Sequence, residues 1–222
     1  MWKAVIYKEW IKIRWFLILF AAVGILAVGN IFLKVQHDFK FNDANNYWYL
    51  LLFQGLKYFN YLKYLPIFGA LAISVAQFFP ETVNKRIKLT FHLPLNENKV
   101  LIMMMLFGTF CLLVTYSILF LMFLGLSTIY FPADIIHATN ISITPWFLSG
   151  FAAYFLVALI VLEPVWKYRF FYIVVTATFI PFFLESSTTG GYAPANPILL
   201  VLVLILSISL LFSGYRFRKG EM

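Results

Sequence analysis

Residues 79–99 read FPETVNKRIKLTFHLPLNENK, the longest charged interruption between two strongly apolar stretches of the chain. Glu81, Lys85, Arg86, Lys88, Glu97 and Lys99 fall within it, after an apolar run that ends at Phe79 and before another that starts at Val100. Two flanking runs that leave the same side of a bilayer hold such a stretch in water with both its ends fixed. Proline disfavours the helical conformation in the residue before it, so Leu93-Pro94-Leu95 is expected to close a short helix of about ten residues and return the chain to the membrane. The stretch is therefore a candidate docking surface that a partner can push on. The simpler reading is a short basic helix lying on anionic lipid.

Composition decides the class of the rest. Of 222 residues, 63% are hydrophobic, 20% aromatic and 12% charged, against about 45–50% apolar and about 25% charged in soluble domains. A soluble fold of this size still exposes much of its chain and has nowhere to hide so much apolar surface. The runs are continuously apolar rather than alternating over short segments, which indicates helices and not a barrel, since each lipid-facing segment must satisfy its own backbone. The net charge of +8 sits at the ends of apolar runs, where topology signals and headgroup contacts belong, and so does not point to nucleic acid. Cys111 is the one cysteine, which excludes an intrachain disulfide and a cysteine metal cluster.

Working outward in both directions, six spans are expected, at about 15–35, 60–80, 100–122, 145–163, 169–185 and 197–215, in a single domain over 1–222. Residues 1–14 read as an amphipathic interfacial helix, with Trp2, Ile6, Trp10 and Ile13 on one side and Lys3, Lys8, Lys12 and Arg14 mostly away from them. The run Trp15–Leu33 is long enough to span and carries no convincing small-residue cleavage site, so an uncleaved anchor is expected. Lys34–Asn46 reads as a polar loop, and Tyr47–Tyr64 as an aromatic helix that continues into the second span. On such a helix Gln54, Lys57, Asn60, Tyr61 and Tyr64 share a sector of about 120°. That stripe is a candidate substrate path; its plainer reading is packing at the headgroups, with the lysines snorkelling. Pro132–Thr144 and Glu185–Pro197 read as loops on the same side as Lys34–Asn46, and Glu163–Arg169 as a tight polar turn on the other.

Lysine and arginine counts set the orientation, because positive flanks remain cytoplasmic. With both termini inside, thirteen of the seventeen lie in the cytoplasm and only Lys34, Lys40, Lys57 and Lys63 lie outside. A multi-pass protein of the cell (inner or cytoplasmic) membrane is expected. His37 with Asp38, and Asp134 with His137, offer too few ligands for a metal and are read as solvated loop residues. No phosphate-binding glycine loop, serine elbow or His-Glu-x-x-His helix occurs, and the predicted spans are nearly bare of ionisable groups, so no catalytic residue is assigned and the chain is not expected to be an enzyme. Glu81, Glu163 and Glu185 fall at predicted span edges, where a carboxylate reaches water.

An amphipathic amino-terminal helix, six spans, and a second span that leaves the membrane at Glu81 before a short helix and Leu93-Pro94-Leu95 resemble the permease subunits of type-2 ABC transporters. The resemblance covers the whole chain in layout, and its specific motif lies in 81–95. It implies an all-α integral membrane protein with a cytoplasmic coupling helix between spans 2 and 3, which dimerises with a second copy or a paralogue. It also implies a separate ABC ATP-binding subunit that holds the ATP and magnesium, this chain binding no cofactor itself. Carried onto this sequence, Glu81 begins the coupling segment, Lys85, Arg86 and Lys88 form its exposed surface, and Leu93 and Pro94 fix its return. The implied cargo is amphipathic, lipid-like, peptide or drug-like. The competing reading is a scaffold or sensor that transports nothing and recruits a cytoplasmic partner.

Overall fold

A computed structural model describes residues 2–41, 43–83, 97–185, 191 and 193–219. Eight α-helices follow one another among them: α1 (Trp2–Phe41), α2 (Ala44–Phe53), α3 (Leu65–Thr82), α4 (Glu97–Tyr130), α5 (Ala133–Leu162), α6 (Trp166–Phe179), α7 (Pro181–Leu184) and α8 (Asn196–Lys219), with a 3-10 turn at Asn60–Leu62. Five stretches are long and apolar enough to cross a membrane: Trp2–Phe41, Asn60–Thr82, Lys99–Tyr130, Ala133–Leu162 and Trp166–Leu184. In α8 the apolar part among the searched residues is Asn196–Ser209. The chain is a multi-pass helical membrane protein.

Several expected breaks are absent. The segment 1–14 and the first span form one helix of 40 residues, about 60 Å long, twice the thickness of the hydrocarbon core. No proline interrupts it, and the chain expected to loop from Lys34 stays helical to Phe41. Residues 133–144, also expected as a loop, are the first turns of α5. Their polar side chains serve the helix: Ser142 Oγ donates to the Ala138 carbonyl (2.9 Å) and Thr144 Oγ1 to that of Asn140 (2.8 Å), which satisfies the hydroxyls without water.

One expected helix is absent instead. The aromatic segment 47–64 breaks after Phe53, where Gly55 takes a left-handed φ of 68° and the Leu56 N–H turns back to the Leu50 carbonyl at 3.2 Å. Glycine is the residue that adopts this conformation without strain, so it ends the helix. A new helix starts ten residues later at Leu65, with Pro66 in its first turn, where a missing N–H costs nothing.

The core is built on α5, two thirds of whose most apolar stretch is buried, while that of Trp166–Leu184 is only 6% buried. Its buried face carries Ser149, Gly150, Ala152, Ala153 and Ala158, small residues that let helices approach closely within a bilayer. Tyrosines fill the space that glycine leaves. A Cβ on Gly150 would collide with the hydroxyl of Tyr116 from α4, and one on Gly108 of α4 would collide with the hydroxyl of Tyr154 from α5.

Pro145 lies inside α5 and cannot donate to the carbonyl of Ile141 four residues back. Asn196, at the start of α8, supplies the donor: its Nδ2 reaches that oxygen at 3.2 Å. A backbone group freed within a membrane helix is thus satisfied by a neighbouring helix.

Candidate functional site

Charge enters the interior at one end of the bundle. The buried side of α1 begins Val5, Glu9, Ile13, Leu17, so the stripe expected from Trp2, Ile6, Trp10 and Ile13 is buried only at Ile13, and Trp2 and Trp10 are exposed. Glu9 is fully covered. Lys12, one turn on, donates to Glu9 Oε1 at 2.6 Å and to Glu81 Oε1, in the last turn of α3, at 2.5 Å. Lys8 Nζ reaches the same Glu81 oxygen at 2.7 Å. Two lysines and two carboxylates balance, and a cluster of this kind persists away from water only when its charges are paired.

The cluster continues into α3 as a polar face. Glu81, Gln77 and Ser74 are all buried and lie one turn apart on the same side of the helix. Gln77 Nε2 donates to the Met104 carbonyl of α4 at 2.7 Å, and its Oε1 accepts from the Tyr154 hydroxyl of α5 at 2.8 Å. Ser74 Oγ donates to the Tyr154 carbonyl at 2.9 Å. A single face of α3 therefore ties α1 by ion pairs, α4 by an amide and α5 by two hydroxyl bonds. One oxygen of the cluster, Glu9 Oε2, has no hydrogen-bond partner among the described residues. Chemically the arrangement is a charged clamp with polar struts. It ties the end of α3 to the start of α1.

This corrects the expectation that Glu81 and Glu163 reach water at span edges. Glu81 is 3% exposed and Glu163 is fully buried, its carbonyl accepting from Arg169 Nη2 at 2.7 Å; Glu185 alone of the three is exposed. Of the residues expected on the coupling segment, Glu81 is described, while Lys85, Arg86, Lys88, Leu93 and Pro94 lie outside the described residues. The expected path residues do not share a helix face, because the helix that would have aligned them stops at Phe53. Gln54, Asn60, Tyr61 and Tyr64 are exposed and Lys57 is half-buried. Burial first, and then the neighbouring Lys63, holds the Lys57 ammonium below the ordinary lysine range. Lys34 donates to the Tyr61 hydroxyl and stands 4.3 Å from the ring centre, and Lys63 lies 5.5 Å from that of Tyr64.

Glu9, Gln77, Ser74 and Tyr154 were not singled out by sequence. The signal available for Glu9 was its i, i+3 spacing to Lys12, which lets the pair neutralise itself on one helix. An apolar groove of about 230 Å³ lies between α4 and α5, lined in part by Tyr116, Phe120, Phe147 and Phe151.

Helical, multi-pass and cross-tied by buried charge is the class that this architecture defines. No family model, curated protein or solved structure matches the chain.

Proposed function

We propose that this chain is the membrane-spanning permease subunit of an ATP-driven type-2 ABC transporter, non-catalytic itself and acting as a dimer with a second copy or paralogue. The supporting observation is the grip of Lys8 and Lys12 on Glu81, in the turn of α3 that precedes the 84–96 connection. An ATP-binding subunit docked on 81–95 pushes on that connection when it closes over ATP and magnesium. Glu81 passes the displacement to α1, and Gln77 and Ser74 pass it to α4 and α5. In this reading α8 is the sixth span, both termini and the connection face the cytoplasm, and the aromatic groove between α4 and α5 favours an amphipathic or lipid-like cargo over a small ion.

Copurification in mild detergent from the native membrane, followed by an ATPase assay of the eluate, tests the reading. An associated ATPase is expected, and it is expected to be lost when Lys85, Arg86 and Lys88 are all changed to Glu. Glu81→Gln should leave the ATPase bound but uncouple hydrolysis from transport. A six-span protein that never brings an ATPase with it under gentle conditions would sink the proposal in favour of a scaffold or sensor.

A further inference from the structure

The first turns of α1 have two working sides. One carries Lys8, Glu9 and Lys12 into the ion cluster. Another, formed by Lys3, Ile6, Tyr7 and Trp10, meets Phe107 of α4 in a groove of about 380 Å³. We propose that this groove binds an anionic phospholipid, with the lipid phosphate at Lys3 and an acyl chain along Trp10 and Phe107.

Three observations carry the assignment. The groove is graded with depth. Lys3 lies nearest the end of α1, Ile6 and Tyr7 come one turn further in, then Trp10, and Phe107 lies ten residues into α4 from its start at Glu97. This is the profile of an amphiphile, charged at its rim and apolar inside, and tryptophan and tyrosine commonly sit at that depth of a bilayer. The charge is complementary to phosphate: Lys3 is exposed, and the carboxylates of Glu9 and Glu81 are buried and held by Lys12 and Lys8. Finally, large apolar side chains are left uncovered by protein there, with Tyr7 66% and Trp10 43% exposed, as suits a surface completed by a lipid chain. The assignment stands whether or not the chain is a permease subunit.

The full chain in nanodiscs of phosphatidylcholine doped with brominated lipid provides the test. The signal is the tryptophan quenching that disappears in Trp10→Phe. Brominated phosphatidylglycerol is expected to quench Trp10 about fivefold more effectively than the same fraction of brominated phosphatidylcholine, the preference that one interfacial lysine gives an anionic lipid. Lys3→Gln abolishes the preference, Lys3→Arg keeps it, and Phe107→Ala weakens quenching by both lipids. Lys40→Gln, at the opposite end of α1, changes nothing. Equal quenching by the two lipids, a preference that survives Lys3→Gln, or quenching untouched by Phe107→Ala each overturns the proposal. Relief of quenching by free inorganic phosphate also overturns it, because the site then takes the phosphate without the chain.

Discussion

The two ends of the bundle are held by opposite means. At one, a few groups fix the geometry: Lys8, Lys12, Glu9 and Glu81 form ion pairs of 2.5–2.7 Å, and Gln77 and Tyr154 continue them into three helices. At the other, rings do the same work by number. Phe32 lies 5.5 Å from Phe123, Tyr58 4.5 Å from Phe131, Phe39 5.2 Å from Tyr47, and Phe59 5.3 Å from Trp146. Each ring contact is worth little beyond the area it covers, and its loss is shared among neighbours. At the charged end a loss is costly where it leaves a buried charge without a partner, as removal of Lys12 would leave Glu9. One end thus depends on a few polar contacts and the other on many apolar ones.

The sharpest way to break this contrast is Glu81→Ala. It removes the acceptor shared by Lys8 and Lys12, while Lys12 keeps Glu9 at 2.6 Å and Lys8 is 41% exposed, so a loss of about 2–3 kcal/mol is expected in reversible unfolding in mixed micelles. Lys8→Gln should cost no more than about 1 kcal/mol, because Lys8 is 41% exposed while Lys12 is 13% exposed and still holds Glu81. Equal losses from the two variants would mean that the cluster is a solvated surface network.

Gly108 tests whether the polar struts depend on close helix approach. In Gly108→Ala the new methyl meets the Tyr154 hydroxyl and Gln77 Oε1, and about 1–3 kcal/mol is expected for the overpacking. Tyr154→Phe alone leaves Gln77 Oε1 short of a donor, at about 1–3 kcal/mol. Combined, the two should cost clearly less than their sum, since the clash and the lost bond share one atom. Strict additivity in the same unfolding assay would contradict the shared contact.

Toward the aromatic end the expected effects are smaller. Asn196→Leu removes the donor to the Ile141 carbonyl, worth about 1 kcal/mol for a hydrogen bond between membrane helices. Pro145→Ala should restore that stability in the double variant, because an alanine N–H returns to the oxygen that proline left free. A double variant no better than Asn196→Leu would show that the amide is not a patch for the proline.

How much of this was legible in the sequence depends on which property carried it. The membrane class followed from composition, and the turn expected at Glu163–Arg169 from its polarity; in the structure the proline after Glu163 keeps it extended (φ −70°, ψ 120°), and the next helix starts at Trp166. Polarity alone does not set the start of α5. Asp134, His137, Asn140 and Ser142 look like a loop, yet serine and threonine there bond to their own helix. Within 47–64 the polar spacing points to a continuous helix, and the local signal against it is Gly55, whose left-handed φ ends the helix. The ion cluster was hidden for a different reason: each of its charges is ordinary at the end of a membrane helix, and only the packing of α1 on α3 shows that Glu9 and Glu81 turn inward. Pairing across 69 residues, as between Lys12 and Glu81, leaves no local pattern.

The smallest effect is expected at Tyr58, and for that reason it tests the aromatic end best. Its ring touches Phe32, Phe59, Phe123 and Phe131, while its hydroxyl meets Ser127, whose own hydroxyl already donates to the Phe123 carbonyl, and lies 3.5 Å from Thr139 Oγ1, at the outer limit of a hydrogen bond. Tyr58→Phe keeps every ring contact. Thr139 can turn its hydroxyl to a carbonyl of its own helix, as Ser142 and Thr144 do. A change of no more than about 0.5 kcal/mol is therefore expected in the same unfolding assay. A loss approaching that of Glu81→Ala would mean that this end, too, hangs on single polar contacts, and the contrast between the two ends would fail.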